Sequence, residues 1–328
     1  MGTLRFLLAL AVLLSHANAR IASLNPGVIA VIGFYLISGY VMAGLIRRHY
    51  GRPGQVGRFY LDRLLRIYPQ YLVIAGITLA WQVASGRSPP FLAQMPALAE
   101  LGCNLLIVPL NYFMVNGAGT YTLIPPAWSL GAELQFYLLA PVMLLWPRIG
   151  LALAALSLGV QTLAWLGRLH TDWFGYRLLP GVLWVFGAGM ALFHAHHLRQ
   201  AFSAPGRWTT VLVWSAPVMA LAVYALLRRH GLHMAPYHQE TLLGWGLGLP
   251  LLHLMARLPR RAWDDRLGDL SYGIFLNHFL LIWLLFEKPP ERPGQWLGLA
   301  LASIALSWAT QYGVERPVLA WRRRLRVR

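Results

Sequence analysis

The residues of this chain best suited to chemistry are Arg5 and His16, which stand eleven positions apart in the apolar run 4–16. In an α-helix, eleven residues at about 100° each return to within about 20° of the starting face and rise about 16 Å. An ionisable side chain that faces lipid is costly, so both side chains are predicted to point into a protein interior. His16 is a candidate general base, because an imidazole titrates near neutral pH.

Two more ionisable side chains within apolar runs are candidates for the site, Glu133 and His278. Glu133 lies about two turns from the start of the run 127–146, at a predicted depth near that of His16. It could orient His16 and stabilise the protonated imidazole, or it could be a structural hydrogen-bond or ion-pair partner. His278 follows Ser271 by seven residues on nearly the same helix face. A lone membrane histidine of this kind could also do no more than bond across helices.

The largest basic cluster lies between the second and third apolar runs and includes Arg47, Arg48, Arg58, Arg63 and Arg66. Arg63 and Arg66 are three residues apart, so they share one face of a helix. The positive-inside rule accounts for part of the cluster, but the loop carries more arginine than topology requires. Because guanidinium groups bind phosphate through paired hydrogen bonds, the cluster also predicts a cytoplasmic phosphate clamp.

Three histidines, His194, His196 and His197, lie together at the end of another apolar run. Their spacing can bind a metal ion, but no carboxylate accompanies them. A solvated helix end is therefore the preferred interpretation, and no metal site is predicted.

The composition predicts that membrane helices hold these residues. Of the 328 residues 57% are hydrophobic and 12% are charged, and the mean hydropathy is +0.52. Soluble proteins average about 25% charged residues. The net charge of +17 is spread over short loops, which argues against nucleic acid as a partner. The expected fold is an all-α polytopic membrane protein that forms a single domain over 1–328.

Ten apolar runs have about the length needed to span a bilayer. They are 3–19, 27–46, 67–84, 127–146, 149–167, 178–194, 209–227, 241–257, 269–286 and 295–314. An additional segment, 101–115, is short and interrupted by Pro109, and it is predicted to be re-entrant or interfacial. With both termini in the cytoplasm, nineteen basic residues fall on the inner side and eight on the outer side. A full crossing by 101–115 would scramble this bias.

The first run has a second interpretation, since residues 1–19 also resemble a secretory signal peptide that would be cleaved after Ala17-Asn18-Ala19. A histidine so near a cleavage site would be unusual, which favours a first membrane helix. The one long outer connection is 85–126, and its aromatic and amide side chains suit a platform for a sugar.

Six motifs, in order along nearly the whole chain, resemble the acyltransferase-3 family of integral membrane acyltransferases. They are Arg5 with His16; the block Ser38-Gly39-Tyr40; Arg63-x-x-Arg66 followed by Ile67-Tyr68-Pro69; Trp128-Ser129-Leu130-x-x-Glu133-x-x-Phe136-Tyr137; Ser271-Tyr272-x-x-Phe275-Leu276-x-His278; and Glu315-Arg316-Pro317. Phe275 stands where the family often has tyrosine. The esterase-like domain that some relatives carry is not expected here.

The resemblance implies transfer of an acyl group, usually acetyl from cytoplasmic acetyl-CoA, to a hydroxyl of an extracytoplasmic glycan such as an exopolysaccharide, O-antigen or lipid-linked saccharide. The expected catalytic residues are His16, Glu133 and Arg5, and the CoA phosphates would be held by Arg63, Arg66, Arg47, Arg48 and Arg58. The expected acceptor-binding residues are Trp128, Ser129, Tyr137, Ser271, Tyr272 and His278. The protein is expected in the bacterial cytoplasmic membrane, in contact with lipid.

Three alternatives stay open at this point. His16 could accept the acyl group itself instead of acting as a base. The chain could be a transporter or flippase for a lipid-linked saccharide, which would also need interior charges and a basic inner face. A noncatalytic assembly subunit would explain the apolar bulk but not the ionisable residues at matched depth.

Overall fold

A computed structural model describes residues 1–198, 206–259, 261–286 and 289–327. Its α-helices are α1 Gly2–His16, α2 Pro26–His49, α3 Val56–Ser85, α4 Leu98–Leu106, α5 Phe113–Asn116, α6 Ala127–Leu145, α7 Pro147–Trp165, α8 Leu179–Leu198, α9 Gly206–Arg229, α10 His238–Arg257, α11 Ala262–Leu285, α12 Pro293–Thr310 and α13 Arg316–Val327. Four basic residues that enter the inside–outside count lie outside the described residues: Arg199, Arg260, Lys288 and Arg328.

All ten predicted runs coincide with helices in the described part of the chain. Eight of these helices are long and apolar enough to cross a membrane. The other two are α1, a shorter apolar helix of 15 residues, and α10, which carries Glu240 in its first turn and Arg257 in its last. The prediction of an all-α polytopic membrane protein is confirmed.

The predicted re-entrant or interfacial segment is a broken helix. α4 and the following segment Val108–Asn116 are bent by 106° against each other. The bend is made at Ile107, whose φ of 63° is a positive value that a β-branched residue rarely adopts. Such a bend occurs both in broken spans and in re-entrant loops, so the re-entrant or interfacial course of 101–115 stays a prediction.

The described chain forms two compact units. The first contains Arg20–Val56 and Phe136–Arg261 together with Met1, and the second contains Gly2–Ala19, Gly57–Gln135 and Ala262–Arg328. The division falls inside α6, so that this helix contributes its first half to the second unit and its second half to the first.

In the first unit, glycine allows α2 and α8 to pack backbone against backbone. A Cβ atom on Gly39 would lie 1.9 Å from the carbonyl oxygen of Phe186, and one on Gly189 would lie 2.0 Å from that of Leu36. No side chain fits at either position without moving the helices apart. Gly39, beside Ser38 on α2, and Gly189 on α8 therefore serve close helix contact, as glycine commonly does between membrane helices.

The histidine group at the end of α8 is not simply a solvated helix end. His196 bonds through Nδ1 to the hydroxyl of Tyr40 at 3.0 Å and through Nε2 to Nδ1 of buried His253 at 2.9 Å. His194 and His197 bond to carbonyl oxygens of their own helix. The interpretation was wrong for His196, because packing brings it a partner from α10 that lies far away in the sequence.

In the second unit, α11 is the central helix. It packs against α1 on one side and α12 on another. The α12 contact is polar as well as apolar: buried Asn277 donates to the carbonyl oxygen and hydroxyl of α12 serines at 3.0 Å each. These bonds fix the rotation of α11 and so the direction in which its other side chains point.

Candidate active site

The helix that carries Arg5 and His16 is held against α11 at its N-terminal end by Asp264. One carboxylate oxygen of Asp264 accepts from the backbone N–H of Gly2 at 2.9 Å, and the other accepts from the N–H and the hydroxyl of Thr3 at 2.7 Å each. The carboxylate thus satisfies N–H groups that a helix start leaves without intrahelical partners and complements the positive end of the helix dipole.

Two glycines let the helix starts meet. A Cβ atom on Gly268 would lie 2.7 Å from the Cα atom of Gly2. The start of α1 therefore lies beside the start of α11, and the end of α1 at His16 lies beside His278 further along α11. The two helices run parallel. A parallel arrangement is what an odd number of crossings between them requires, and the ten-span prediction counts seven.

The far end of α1 is held by a pair of histidines. Nδ1 of His16 lies 3.0 Å from Nε2 of His278, the ring planes differ by 11° and the ring centroids are 5.1 Å apart. This geometry suits an in-plane hydrogen bond between two imidazoles. His278 is fully buried, whereas His16 is half-buried. The sequence motifs that contain His16 and His278 are therefore brought into direct contact.

A backbone carbonyl decides which nitrogen carries each proton. Nδ1 of His278 lies 2.9 Å from the carbonyl oxygen of Ile274, and a carbonyl can only accept. Nδ1 of neutral His278 is thus the protonated nitrogen, and its Nε2 accepts from Nδ1–H of His16. In neutral His16 the lone pair is then on Nε2, which is the nitrogen that a general base uses. In many enzymes a third group hydrogen-bonds to the catalytic histidine and orients it. Here the imidazole of His278 is in the position of that group, and His16 is the histidine that it orients.

Glu133 and Arg5 lie in the same unit as the histidine pair. Both side chains are half-buried, Glu133 on the first half of α6 and Arg5 on α1 near the Asp264 end. Below Glu133, Gln135 accepts from the hydroxyl of Tyr112 at 2.6 Å and donates to Asn111 at 3.0 Å. These bonds attach the first half of α6 to the segment Val108–Asn116, and so they fix the position of Glu133 along the helix relative to that segment.

The other predicted residues of α6 have structural contacts. The carbonyl oxygen of half-buried Trp128 accepts from Asn111 at 3.1 Å. The hydroxyl of buried Ser129 donates to the carbonyl oxygen of Pro126 at 3.0 Å, one turn back. Tyr137 is buried in the other unit. On α11 the buried Ser271 likewise donates to a carbonyl of its own helix, that of Gly268, at 2.7 Å.

Of the predicted phosphate-binding arginines, two are paired with carboxylates. Arg63 forms an ion pair with Asp62, and both side chains are buried. Arg66 forms an ion pair with buried Glu315, and its guanidinium lies 5.3 Å from the ring centroid of Tyr272. Tyr272 in turn donates its hydroxyl to the carbonyl oxygen of Ile67 at 2.9 Å.

The other three arginines are exposed. Arg58 lies in the first turn of α3 in the second unit, and Arg47 and Arg48 lie in the last turn of α2 in the first unit. Exposed guanidinium groups are accessible to a phosphate, whereas Arg63 and Arg66 would have to share their charge with Asp62 and Glu315. Among the described residues no group of three His, Cys, Asp or Glu side chains is arranged to hold a metal ion.

The sequence did not predict two aromatic side chains next to the histidine pair, Phe279 and Phe91. The ring of Phe279 lies 4.8 Å from that of His16 and 5.2 Å from that of His278, centroid to centroid. Phe91, from the long outer connection, contacts Phe279 edge to face at 5.6 Å. The position of Phe279 directly after His278 was the available signal, but nothing in the sequence links Phe91 to either.

The connection that carries Phe91 is held by buried polar side chains. The hydroxyl of Tyr121 donates to Gln82 on α3 at 2.6 Å, and burial raises the pKa of Tyr121, so this phenol keeps its proton. Asn104 donates to the carbonyl oxygen of Tyr121 at 3.0 Å and accepts from the backbone N–H of Leu123 at 2.8 Å. The amides of this connection thus build the loop.

Comparison with known proteins gives matches that fit this arrangement. Residues 2–312 match a family model described as an acyltransferase domain. An uncharacterized protein of Aquifex aeolicus is 37% identical over 168 residues, which cover 49% of this chain and 72% of that protein. Nodulation protein 10 of Rhizobium leguminosarum bv. viciae is 28% identical over 329 aligned positions, which cover 88% of this chain and 81% of that protein. No solved structure matches the chain.

The family match includes the motifs that carry Arg5, His16, Glu133 and His278. Because the family model matches nearly the entire chain, this integral membrane protein belongs to the acyltransferase-3 family.

Proposed function

We propose that the protein is a membrane O-acyltransferase that moves an acetyl group from cytoplasmic acetyl-CoA to a hydroxyl of an extracytoplasmic glycan, in the bacterial cytoplasmic membrane with both termini inside. The observation that carries the proposal is the bond between His16 and His278, with its tautomers fixed by the carbonyl of Ile274. In this tautomer the basic nitrogen of neutral His16 is Nε2, on a half-buried residue of a membrane helix.

In this mechanism Nε2 of His16 takes the proton of the acceptor hydroxyl while the oxygen attacks the thioester carbonyl. The carbon–sulfur bond breaks, and the proton passes from His16 to the departing sulfur, so that the products are an ester and CoA. Throughout, Nδ1–H of His16 continues to donate to His278, which keeps the ring oriented while it carries charge. Such positioned proton transfer contributes about 10²- to 10⁴-fold to a rate.

Glu133 and Arg5 have supporting roles in the proposal. Glu133 stabilises the protonated form of His16 by its negative charge. Arg5 lies about 16 Å below His16 along a straight α1, and it lines the path along which the donor reaches the base. Trp128, in the same unit as the histidine pair, is retained as an acceptor-side residue of the proposal. Tyr272 joins α11 to α3 through its bond to Ile67, and the hydroxyls of Ser129 and Ser271 are bonded within their own segments.

For the donor, the proposal assigns a CoA phosphate to Arg58, whose side chain is exposed at the start of α3. Arg66 holds α3 to the segment after α12 through its ion pair with Glu315, whereas Arg63 is paired with the adjacent Asp62 of its own helix. A guanidinium group that is not already paired with a carboxylate can give both of its parallel N–H groups to a phosphate.

The test uses purified protein in lipid nanodiscs with acetyl-CoA labelled in the acetyl group. The acceptor is surface polysaccharide from cells that carry this protein, stripped of its esters by mild alkali. We expect label to appear on the polysaccharide as an alkali-labile ester, and His16→Ala to lower the rate by at least about 10²-fold. His230→Ala, at an exposed histidine outside the site, is the matched control and should keep full activity.

If the wild-type protein transfers no label but moves a lipid-linked saccharide across vesicles, the chain is a transporter and the proposal is wrong. Full activity of His16→Ala would remove the histidine pair from the mechanism.

A further inference from the structure

Phe91 has a backbone conformation that a bulky residue rarely adopts. Its φ is 72°, in the left-handed region that glycine tolerates and an aromatic residue does not without strain. Strain of this kind persists only where surrounding structure imposes it, and it is concentrated at functional sites.

Buried neighbours impose the conformation. The carbonyl oxygen of Phe91 accepts from the N–H of Thr122 at 2.7 Å, and Leu92 forms a β-bridge with Tyr121. The carbonyl oxygen of Leu92 accepts from Gln82 on α3 at 3.1 Å. Leu92 and Tyr121 are fully buried. Residue 91 is therefore fixed through its own carbonyl group and through its buried neighbour Leu92, whatever its side chain.

Hydrophobic burial does not account for the aromatic side chain at this strained position. Phe91 is 43% exposed, and its ring contacts Phe279 only through an edge-to-face arrangement at 5.6 Å and 85°. Glycine would fit the backbone better, and a polar residue would suit a loop surface. The strain instead presents an aromatic face beside Phe279, and Phe279 lies directly against His16.

We propose that Phe91 and Phe279 form the acceptor platform of the enzyme, on which the apolar face of the sugar ring that carries the reacting hydroxyl is stacked beside His16. The electron-rich face of an aromatic ring attracts the positive C–H edges of a sugar, and such rings orient ligands in many binding sites. The inference rests on the proposed function and names the side chains that would bind its acceptor.

The experiment measures equilibrium binding of the alkali-treated polysaccharide to protein in nanodiscs without donor, and then the acceptor KM and donor KM of transfer. Three variants separate ring from backbone: Phe91→Leu keeps an apolar side chain and the strain, Phe91→Gly removes both, and Phe91→Trp keeps an aromatic face. Met95→Ala, at a 60% exposed residue of the same connection, is the control.

We expect Phe91→Leu and Phe91→Gly to weaken polysaccharide binding and raise the acceptor KM about fivefold or more, with the donor KM within twofold of wild type. Phe91→Gly should unfold at the same temperature as wild type or a higher one, because glycine adopts this φ freely. Phe91→Trp and Met95→Ala should bind within twofold of wild type.

Binding of Phe91→Leu within twofold of wild type would overturn the platform, as would a lower unfolding temperature of Phe91→Gly together with equal increases in both KM values. Absence of acetyl transfer by the wild type, with polysaccharide binding still dependent on the ring, would refute the proposed function and leave the platform standing.

Discussion

The guanidinium of Arg66 is paired with the carboxylate of Glu315, which joins α3 to the segment that follows α12. Glu315 is buried, and Arg66 also covers the ring of Tyr272. Three of the six family motifs therefore meet at one ion pair. A pair at this position assembles the helices α3, α11 and the segment after α12, which is a different task from binding a phosphate.

Removal of Arg66 should destabilise the protein. Arg66→Ala leaves the charge of Glu315 buried without its partner, which we expect to cost about 3 kcal/mol and to lower the unfolding temperature measured in detergent. The double variant Arg66→Ala with Glu315→Gln should recover part of the loss, since no unpaired buried charge is left. An unchanged unfolding temperature of the single variant would show that the pair does not assemble these helices.

Arg58 should behave in the opposite way. Its side chain is exposed, so Arg58→Ala is expected to leave the unfolding temperature unchanged. Because the lost guanidinium is proposed to bind a donor phosphate, the KM for acetyl-CoA should rise several-fold while the acceptor KM stays constant. Arg52→Ala, at an exposed arginine of the same loop, is the control. Equal effects of both substitutions would mean that the loop attracts CoA only through its total charge.

His278 should be needed for rate but replaceable in part. His278→Ala removes the acceptor for Nδ1–H of His16, and we expect kcat to fall about 10²-fold or more. His278→Gln places an amide oxygen near the position of Nε2 and should retain more activity than the alanine variant. Far-UV circular dichroism and the unfolding temperature are measured for both variants to check that each one folds. Identical activity of the two variants would argue that His278 only fills space.

Asp264 should determine how firmly α1 is held. Asp264→Ala removes the acceptor of three hydrogen bonds at the start of α1, and the loss of such a helix cap typically costs about 1 kcal/mol. The unfolding temperature should fall, and kcat should fall with it because His16 is carried by the same helix. Asp265→Ala, at the exposed neighbour, removes an equal charge without these bonds and should change neither.

Gly268 should tolerate no larger side chain. A Cβ atom there meets the backbone of Gly2 at 2.7 Å, so Gly268→Val is expected to separate α1 from α11 and to destabilise the protein by about 1–3 kcal/mol. Gly298→Ala in α12 has no atom within 4 Å of its added Cβ and should be neutral or slightly stabilising. Thermal unfolding of both variants, followed by size-exclusion chromatography, gives the comparison.

The helices and the identity of the ionisable residues were determined by the sequence alone. Apolar runs of bilayer length specify membrane helices because backbone polar groups must bond within the segment in lipid. Helix rise predicts the depths of Arg5, His16 and Glu133, and Pro109 signals an interrupted segment two residues after the bend at Ile107. These properties are local or periodic, so they can be read without knowing which helices touch.

Which of these side chains contact one another was decided only by the tertiary structure. His278 reaches His16, Glu315 reaches Arg66, and Phe91 reaches Phe279 because α1, α3 and the outer connection pack around α11. Each pairing depends on the rotation and neighbours of whole helices, and helix packing is set by shape, small residues and polar contacts spread over distant segments. The sequence by itself shows which residues can react, whereas the packing determines which of them is oriented as the base and which are already neutralised.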